Sequence, residues 1–80
     1  MEQTTEDVHI GKLIQQTLKK QGRSPSWLAE QINCNRDNIY KIYQRSNINT
    51  ELLMHISIVL KVDFFEYYEE MYKKQIQNVW

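Results

Sequence analysis

Several residue types are scarce in this 80-residue sequence, and each scarcity excludes a class of protein. The single cysteine, Cys34, excludes an internal disulfide framework and, by itself, a cysteine-based structural zinc site. No apolar run approaches the ~20 residues that span a bilayer, and no signal-peptide core follows Met1. We therefore expect one small domain in a reducing, soluble compartment.

Glycine and proline are also rare, with two glycines and one proline, so long stretches contain no helix breaker. Apolar residues do not alternate with polar ones over any convincing run, which argues against strands. They recur instead at three- and four-residue spacing, the period of an α-helix. The predicted fold class is therefore all-α, with five short helices joined by loops of about three to five residues.

The residue types at the ends of the segments with helical apolar spacing predict where the first two helices begin and end. The first helix covers residues 9–21 and is followed by Gly22, which adopts a left-handed conformation without steric cost. The second helix opens with a hydroxyl cap from Ser24 and has Pro25 at its first position.

Asparagine-rich breaks predict the boundaries of the next helices. Asn33 tolerates positive φ and suits a tight turn, and Asn35 can cap a third helix over residues 36–44. Either Asn49 or Thr50 can cap a fourth helix. The spacing of the carboxylates at positions 63 and 66 predicts a capping box at the start of a fifth helix, which frays before the C-terminus.

The segment Pro25–Tyr43 has the residue spacing of a helix-turn-helix motif. Apolar residues occupy its fourth, eighth, tenth, fifteenth and eighteenth positions: Leu28, Ile32, Cys34, Ile39 and Ile42. Ala29 stands where two helices cross closely, and Asn33 stands where the turn needs a positive φ. These requirements are steric, so a segment that meets them is predicted to adopt the geometry of a helix-turn-helix and does not merely share its composition.

In these residues the chain resembles the lambda-repressor-like (Xre-type) helix-turn-helix family. The resemblance covers roughly residues 10–68 and depends on four segments: Ile10–Ile14, Trp27–Ile32, Arg36–Ile42 and Leu60–Phe65. It implies a five-helix bundle that binds double-stranded operator DNA, mostly as a dimer, and regulates transcription. It also implies a cytoplasmic protein of bacterial or phage origin.

Two positions depart from the family pattern. Pro25 stands where many members have a glutamine that contacts phosphate and braces the recognition helix, so that contact is absent here. The segment Tyr43–Arg45 replaces the Glu-x-Gly ending that is common after the third helix. Neither the usual exit from this helix nor a base preference is therefore carried over from the family.

The formal charge is zero, with ten cations and ten acids, which argues against a uniformly basic nucleic-acid coat or a polybasic membrane binder. The distribution is uneven. Residues 8–45 carry seven cations against two acids, a local charge of +5, whereas residues 1–7 carry three acids and residues 46–80 carry five acids against three lysines. The positive charge thus lies in the first three predicted helices, where it would neutralise DNA phosphates.

The resemblance and the helical period together assign DNA-binding roles to two sets of residues. The base-contacting set lies on the outer part of the third helix: Arg36, Asn38, Tyr40 and Lys41. Arg36 and Asn38 come first, because Arg pairs with guanine, Asn pairs with adenine, and such a helix enters the groove by its N-terminal end. The backbone-contacting set is Ser24, Ser26, Trp27, Asn35, Gln44 and Arg45, and Lys41 also reaches the backbone.

Structural alternatives stay open for these assignments. The polar side of the third helix can be a solvated face without a partner. Ser24 and Ser26 can be simple helix caps, and packing on the first helix is favoured for Trp27 over contact with DNA. Cys34 is expected to be an inert thiol at an apolar position.

The C-terminal part has more apolar residues than one small domain readily covers, which predicts a self-association surface. Its members are Tyr68, Met71, Tyr72 and Ile76. The predicted organisation is a disordered acidic leader over residues 1–7, a helix-turn-helix domain over 8–72, and an extension over 73–80 that serves dimerisation or packs locally. A homodimer would read two half-sites about 34 Å apart.

Two functions remain open. The first is a sequence-specific transcriptional regulator, expected to be a repressor. The second is a protein-interaction module on the same fold, such as an antitoxin-like partner binder, without specific DNA binding. An enzyme acting on a small-molecule substrate is not expected, because the sequence has no Ser/His/Asp set, no paired carboxylates and no phosphate-cradling glycine loop. His9 and His55 lack a third ligand, so we expect no metal and no cofactor.

Overall fold

The computed structural model describes residues 8–79, with side chains to residue 77, and over this range it is helical without a strand. Its five helices are α1 (Ile10–Lys20), α2 (Pro25–Gln31), α3 (Arg36–Tyr43), α4 (Thr50–Leu60) and α5 (Phe65–Val79). The predicted all-α class with five helices is thereby confirmed. The predicted leader over residues 1–7 lies outside the described residues, whereas the fraying predicted before Trp80 is not seen in the described residues, since α5 is helical to Val79. No helix in the described part has the length and apolar character needed to cross a membrane.

Side-chain caps fix the starts of the first four helices. Ser24, Asn35 and Asn49 each accept a hydrogen bond, through a side-chain oxygen, from the backbone N–H three residues later, at 3.0, 3.1 and 2.7 Å. His9 does the same for α1 through its Nδ1 atom, at 3.2 Å. Of the two caps predicted for α4, Asn49 is therefore the one used, and Thr50 is the first helical residue.

The capping box predicted for α5 is wrong. The Asp63 carboxylate accepts from the N–H of Phe65 at 3.0 Å, while the N–H of Glu66 donates to the backbone oxygen of Asp63 at 3.3 Å. The physical reason is that the chain enters α5 through tight i→i+3 turns: the N–H of Tyr67 likewise donates to the backbone oxygen of Phe64 at 3.3 Å, and the N–H that the Asp63 side chain would cap is taken by the Asp63 backbone oxygen. Because α5 begins only at Phe65, Asp63 caps the turn that leads into the helix.

Three helices end in the same hydrogen-bonded turn, each at a residue with positive φ. These residues are Gly22 (φ 70°), Asn33 (φ 59°) and Lys61 (φ 59°). In each turn the N–H of the next residue donates to the carbonyl five residues before it, at 2.9, 2.9 and 3.1 Å, which is the Schellman arrangement. The positive φ predicted at Gly22 and Asn33 is confirmed, whereas Lys61 was not predicted because lysine disfavours this conformation.

The hydrophobic core takes residues from every helix except α5 and is completed by the turn before it. Its buried members are Ile10, Ile14, Leu18, Leu28, Ala29, Ile39, Ile42, Leu53, Ile56, Leu60 and Phe64. Tyr43 and Phe65 are half-buried and pack against this core. No residue of α5 between positions 65 and 77 is fully buried, so α5 adds a half-covered stripe.

The N-terminus of α1 packs directly on the chain that leaves α3. The backbone N–H groups of Ile10 and Gly11 donate to the carbonyls of Ser46 and Arg45, both at 2.9 Å. A Cβ atom on Gly11 would lie 2.5 Å from the carbonyl oxygen of Tyr43 and 2.6 Å from that of Arg45. The exit from α3 is therefore held by α1 through contacts that only a glycine at position 11 allows.

Candidate nucleic-acid interface

Helix α3 contacts both α1 and α2 through one apolar side. On that side Ile39 is fully buried and Ile42 is 6% exposed. Every other residue of α3 is exposed except Tyr43, which is half-buried. An eight-residue helix with so narrow a buried stripe presents most of its circumference to a partner or to water.

The angular position of each residue on α3 follows from a rotation of about 100° per residue. Four residues lie about 100° or more from both buried isoleucines, and we call them the outer face of α3: Asp37, Tyr40, Lys41 and Gln44. Arg36 and Asn38 lie at its two edges, nearer the core. Of the predicted base-contacting residues, the structure thus places Tyr40 and Lys41 on the outer face and Arg36 and Asn38 beside it.

Asn38 faces a cleft between α3 and α4. It lines this half-open cleft of about 300 Å³ together with Lys41, Arg45 and Leu52. Two predicted DNA-contacting cations therefore share one cleft with an amide. Cys34 lies in the same cleft, and burial raises the pKa of its thiol, which disfavours the reactive thiolate at neutral pH.

Tyr40 is held at its place on the outer face by Tyr43. The two rings meet edge to face, with centroids 6.0 Å apart and planes at 84°. Tyr40 is 46% exposed, whereas burial, and after it the neighbouring Tyr40, raises the pKa of Tyr43. Tyr43 thus anchors the pair to the core and Tyr40 reaches the surface.

The N-terminal end of α3 is built by Asn35. Its Oδ1 atom accepts a hydrogen bond from the backbone N–H of Asn38 at 3.1 Å. For the DNA-backbone contact predicted at Asn35, the side chain therefore offers its amide nitrogen, which takes no part in the cap. Gln44, also predicted to contact the DNA backbone, is the exposed residue at the other end of α3. The two residues thus bracket the outer face.

The start of α2 lies beside a cation that the sequence analysis did not single out. Ser24 acts as the helix cap, as its structural alternative predicts, and Ser26 is exposed. Trp27 is half-buried against the core, and the guanidinium carbon of Arg23 lies 4.0 Å from the centroid of its ring. The spacing of a cation four residues before a tryptophan was the signal that could have revealed this contact.

The four residues predicted for dimerisation differ in how much they expose. Tyr68 packs against the core, and burial raises its pKa. Met71 and Ile76 are half-buried, and Tyr72 is 62% exposed. Helix α5 continues through the predicted boundary between residues 72 and 73, so all four residues lie on one helix.

Comparisons of the chain with protein-family models, with curated proteins and with solved structures gave no significant match. Within residues 8–79, no group of three or more His, Cys, Asp or Glu side chains is arranged to hold a metal ion. The function is therefore argued from the geometry and charge of α2, α3 and their surroundings.

Proposed function

We propose that this protein is a sequence-specific DNA-binding transcriptional regulator, a repressor of the lambda-repressor-like (Xre-type) helix-turn-helix family. In this proposal α2 and α3 form the motif and α3 lies in the major groove. The observation that carries it is the outer face of α3, which is polar and exposed while its opposite side is locked into the core. The left-handed turn at Asn33 between the two helices supports the same proposal.

Charge supports DNA as the partner. Seven cations against two acids lie in residues 8–45, which include α1, α2 and α3. Cations that neutralise phosphates release condensed counterions, and this release supplies sequence-independent affinity. Lys41 and Arg45 share the cleft beside the outer face, where they can reach the backbone on one side of the groove.

Dimerisation is part of this proposal. The exposed Tyr72, with the half-buried Tyr68, Met71 and Ile76, forms an apolar stripe along α5 that a second copy can cover. Two copies would read two half-sites about one helical turn, roughly 34 Å, apart.

One observation favours the second candidate, a protein-interaction module on the same fold. Helix α4 exposes Met54 (50%) and Ile58 (65%), four residues apart on one side of the helix. Exposed apolar residues next to each other are typical of a surface that binds protein. A regulator that also binds a protein partner has both surfaces, so only a measurement of DNA binding separates the two candidates.

Salt dependence of binding to a non-specific duplex tests the proposal. We expect the logarithm of the association constant to fall linearly with the logarithm of salt, by about 0.9 for each phosphate contacted. Replacing Lys41 by alanine should weaken all sequences similarly and reduce this slope by about one. Lys73→Ala, which removes an exposed cation from α5, is the matched control and should leave the slope unchanged. A slope of zero for the unaltered protein contradicts DNA binding.

Sequence preference is tested at the edge of the outer face. Arg36→Ala should lose about 1–3 kcal/mol of binding free energy at one base pair of a selected site and little at the others. The measurement is a titration of each single-base variant of that site with both proteins. Equal losses at every position would mean that Arg36 contacts backbone rather than a base.

A further inference from the structure

We infer that Asp37 reads a cytosine in the operator, an inference that rests on the proposed DNA-binding function. In the sequence Asp37 is one of only two acids in the basic region over residues 8–45. In the structure Asp37 is exposed and lies on the outer face of α3. In this inference Asp37 contributes to the choice of base, and it adds nothing to the attraction for phosphates because its charge is negative.

The position of Asp37 follows from the buried residues of its helix. Ile39 and Ile42 point into the core, and Asp37 lies about 160° and about 140° around the helix axis from them. Asn38, which the sequence favours as a base reader, lies only about 40° from Ile42 and faces the cleft toward α4. A helix that enters a groove with its outer face first thus brings Asp37 closer to the base edges than Asn38.

The chemistry of the groove then selects the base. A carboxylate only accepts hydrogen bonds. In the major groove cytosine offers its N4 amino donor, whereas guanine and thymine present acceptors and adenine places its N7 acceptor beside its amino group. An acid directed at base edges therefore favours cytosine, is repelled by the acceptors of guanine and thymine, and gains less from adenine, whose amino donor stands beside an acceptor.

Two neighbouring cations reduce the electrostatic cost of placing the Asp37 carboxylate near DNA phosphates. Arg36 precedes Asp37, and Lys41 follows one helical turn later on the same face, and all three are exposed. They offset the repulsion between the carboxylate and the phosphates on either side of the groove. Asp37 also stands in the first turn of α3, where an acid interacts favourably with the helix dipole and stabilises the helix. The experiment must therefore distinguish this local role from contact with a base.

The chain contains a matched control for that local role. Glu51 is the second residue of α4, as Asp37 is the second residue of α3, and both helices have an asparagine cap. Glu51→Gln removes the same charge from the same helical position outside α3. Circular dichroism of Asp37→Asn, Asp37→Ala and Glu51→Gln should give equal helix content, because both acids are exposed.

The experiment is selection of bound duplexes from a random-sequence pool by the full chain and by the three variants. The unaltered protein and Glu51→Gln should select the same site, with cytosine preferred about tenfold at one position. Asp37→Asn should replace that cytosine by adenine, because an amide can both accept from N6 and donate to N7. Asp37→Ala should lose the preference at this position without acquiring another.

If all four proteins select the same base at every position, the inference is wrong while the proposed function stands. If the unaltered protein selects no sequence, the proposed function is wrong and the inference fails with it. A site that changes only at the position read by residue 37 supports both.

Discussion

Gly11 shows how a single residue holds two helices together. It lies inside α1, where glycine is normally about 1 kcal/mol less favourable than alanine. Here the absence of a side chain lets α1 approach the carbonyls at the end of α3 and donate the N–H groups of Ile10 and Gly11 to the chain beyond it. The helical cost of glycine is therefore offset by hydrogen bonds that position the end of α3.

Replacing Gly11 by alanine should destabilise the protein by about 1–3 kcal/mol, because a Cβ atom would overlap backbone oxygens that cannot move independently. Urea unfolding followed by circular dichroism measures the change. The exposed neighbour Lys12→Ala is the control and should stay within about 0.5 kcal/mol of the unaltered protein. Unchanged stability of Gly11→Ala would contradict the close approach of α1 and α3.

At the level of the elements, helix ends decide how the five helices connect. Two of the three Schellman turns have residues suited to positive φ, glycine and asparagine, but α4 ends at Lys61 in the same conformation. A contact from a distant part of the chain supports this end, since Gln21 Nε2 donates to the backbone oxygen of Leu60 at 2.9 Å. The end of α1 thus helps to hold the end of α4 in place. This end is strained, because Lys61 is in the left-handed conformation.

Lys61→Gly should relieve this strain and raise the free energy of unfolding by about 0.5–1 kcal/mol. The left-handed conformation costs an L-residue about 1–2 kcal/mol, and the greater freedom of glycine in the unfolded chain cancels part of the gain. Thermal or urea unfolding measures the difference. Lys61→Ala removes the charge but keeps the strain, so a gain of the same size for alanine would show that charge rather than conformation is responsible.

At the scale of the whole molecule, charge is distributed unevenly. Residues 8–45 carry seven cations against two acids; of these, Lys41 and Arg45 line the cleft beside the outer face of α3, whereas Lys19 and Lys20 line a surface depression with Tyr67 of α5. Helices α4 and α5 also expose apolar side chains, among them Met54, Ile58 and Tyr72. Zero net charge is therefore the sum of a basic part and acidic parts. Non-specific affinity for DNA should accordingly be weak, so base contacts and dimerisation would supply most of the discrimination.

Tyr72→Glu should weaken self-association at least about tenfold, or about 1.4 kcal/mol, because it puts a charge on the apolar stripe of α5 without touching the core. Sedimentation or light scattering over a range of protein concentrations measures the dissociation constant. Ile58→Glu, at a residue of similar exposure on α4, is the matched control and should have no effect. The reverse result would assign self-association to α4.

Much of the fold could be predicted because helix ends depend on neighbours a few residues apart. The caps at Ser24 and Asn35 and the turns at Gly22 and Asn33 are predicted from residue type and are confirmed. The capping box at residues 63–66 is wrong because the chain enters α5 through i→i+3 turns, in which the Asp63 carboxylate caps the N–H of Phe65 rather than that of Glu66. The candidate site was only partly predictable: the helical period indicates the outer side of α3, but the cleft that Asn38 lines toward α4 and the contact of Arg23 with the Trp27 ring depend on the packing.

The sequence by itself determined the all-α class, the five helices and most of their ends, because hydrophobic period, capping and positive φ act within about one helical turn. Tertiary structure alone decided that Asn38 lines a cleft toward α4, why Gly11 stands in a helix, and how Lys61 comes to adopt a left-handed conformation. These features depend on contacts between residues far apart in the chain. Local residue patterns do not record such contacts, because the same pattern is compatible with several packings until the core selects one.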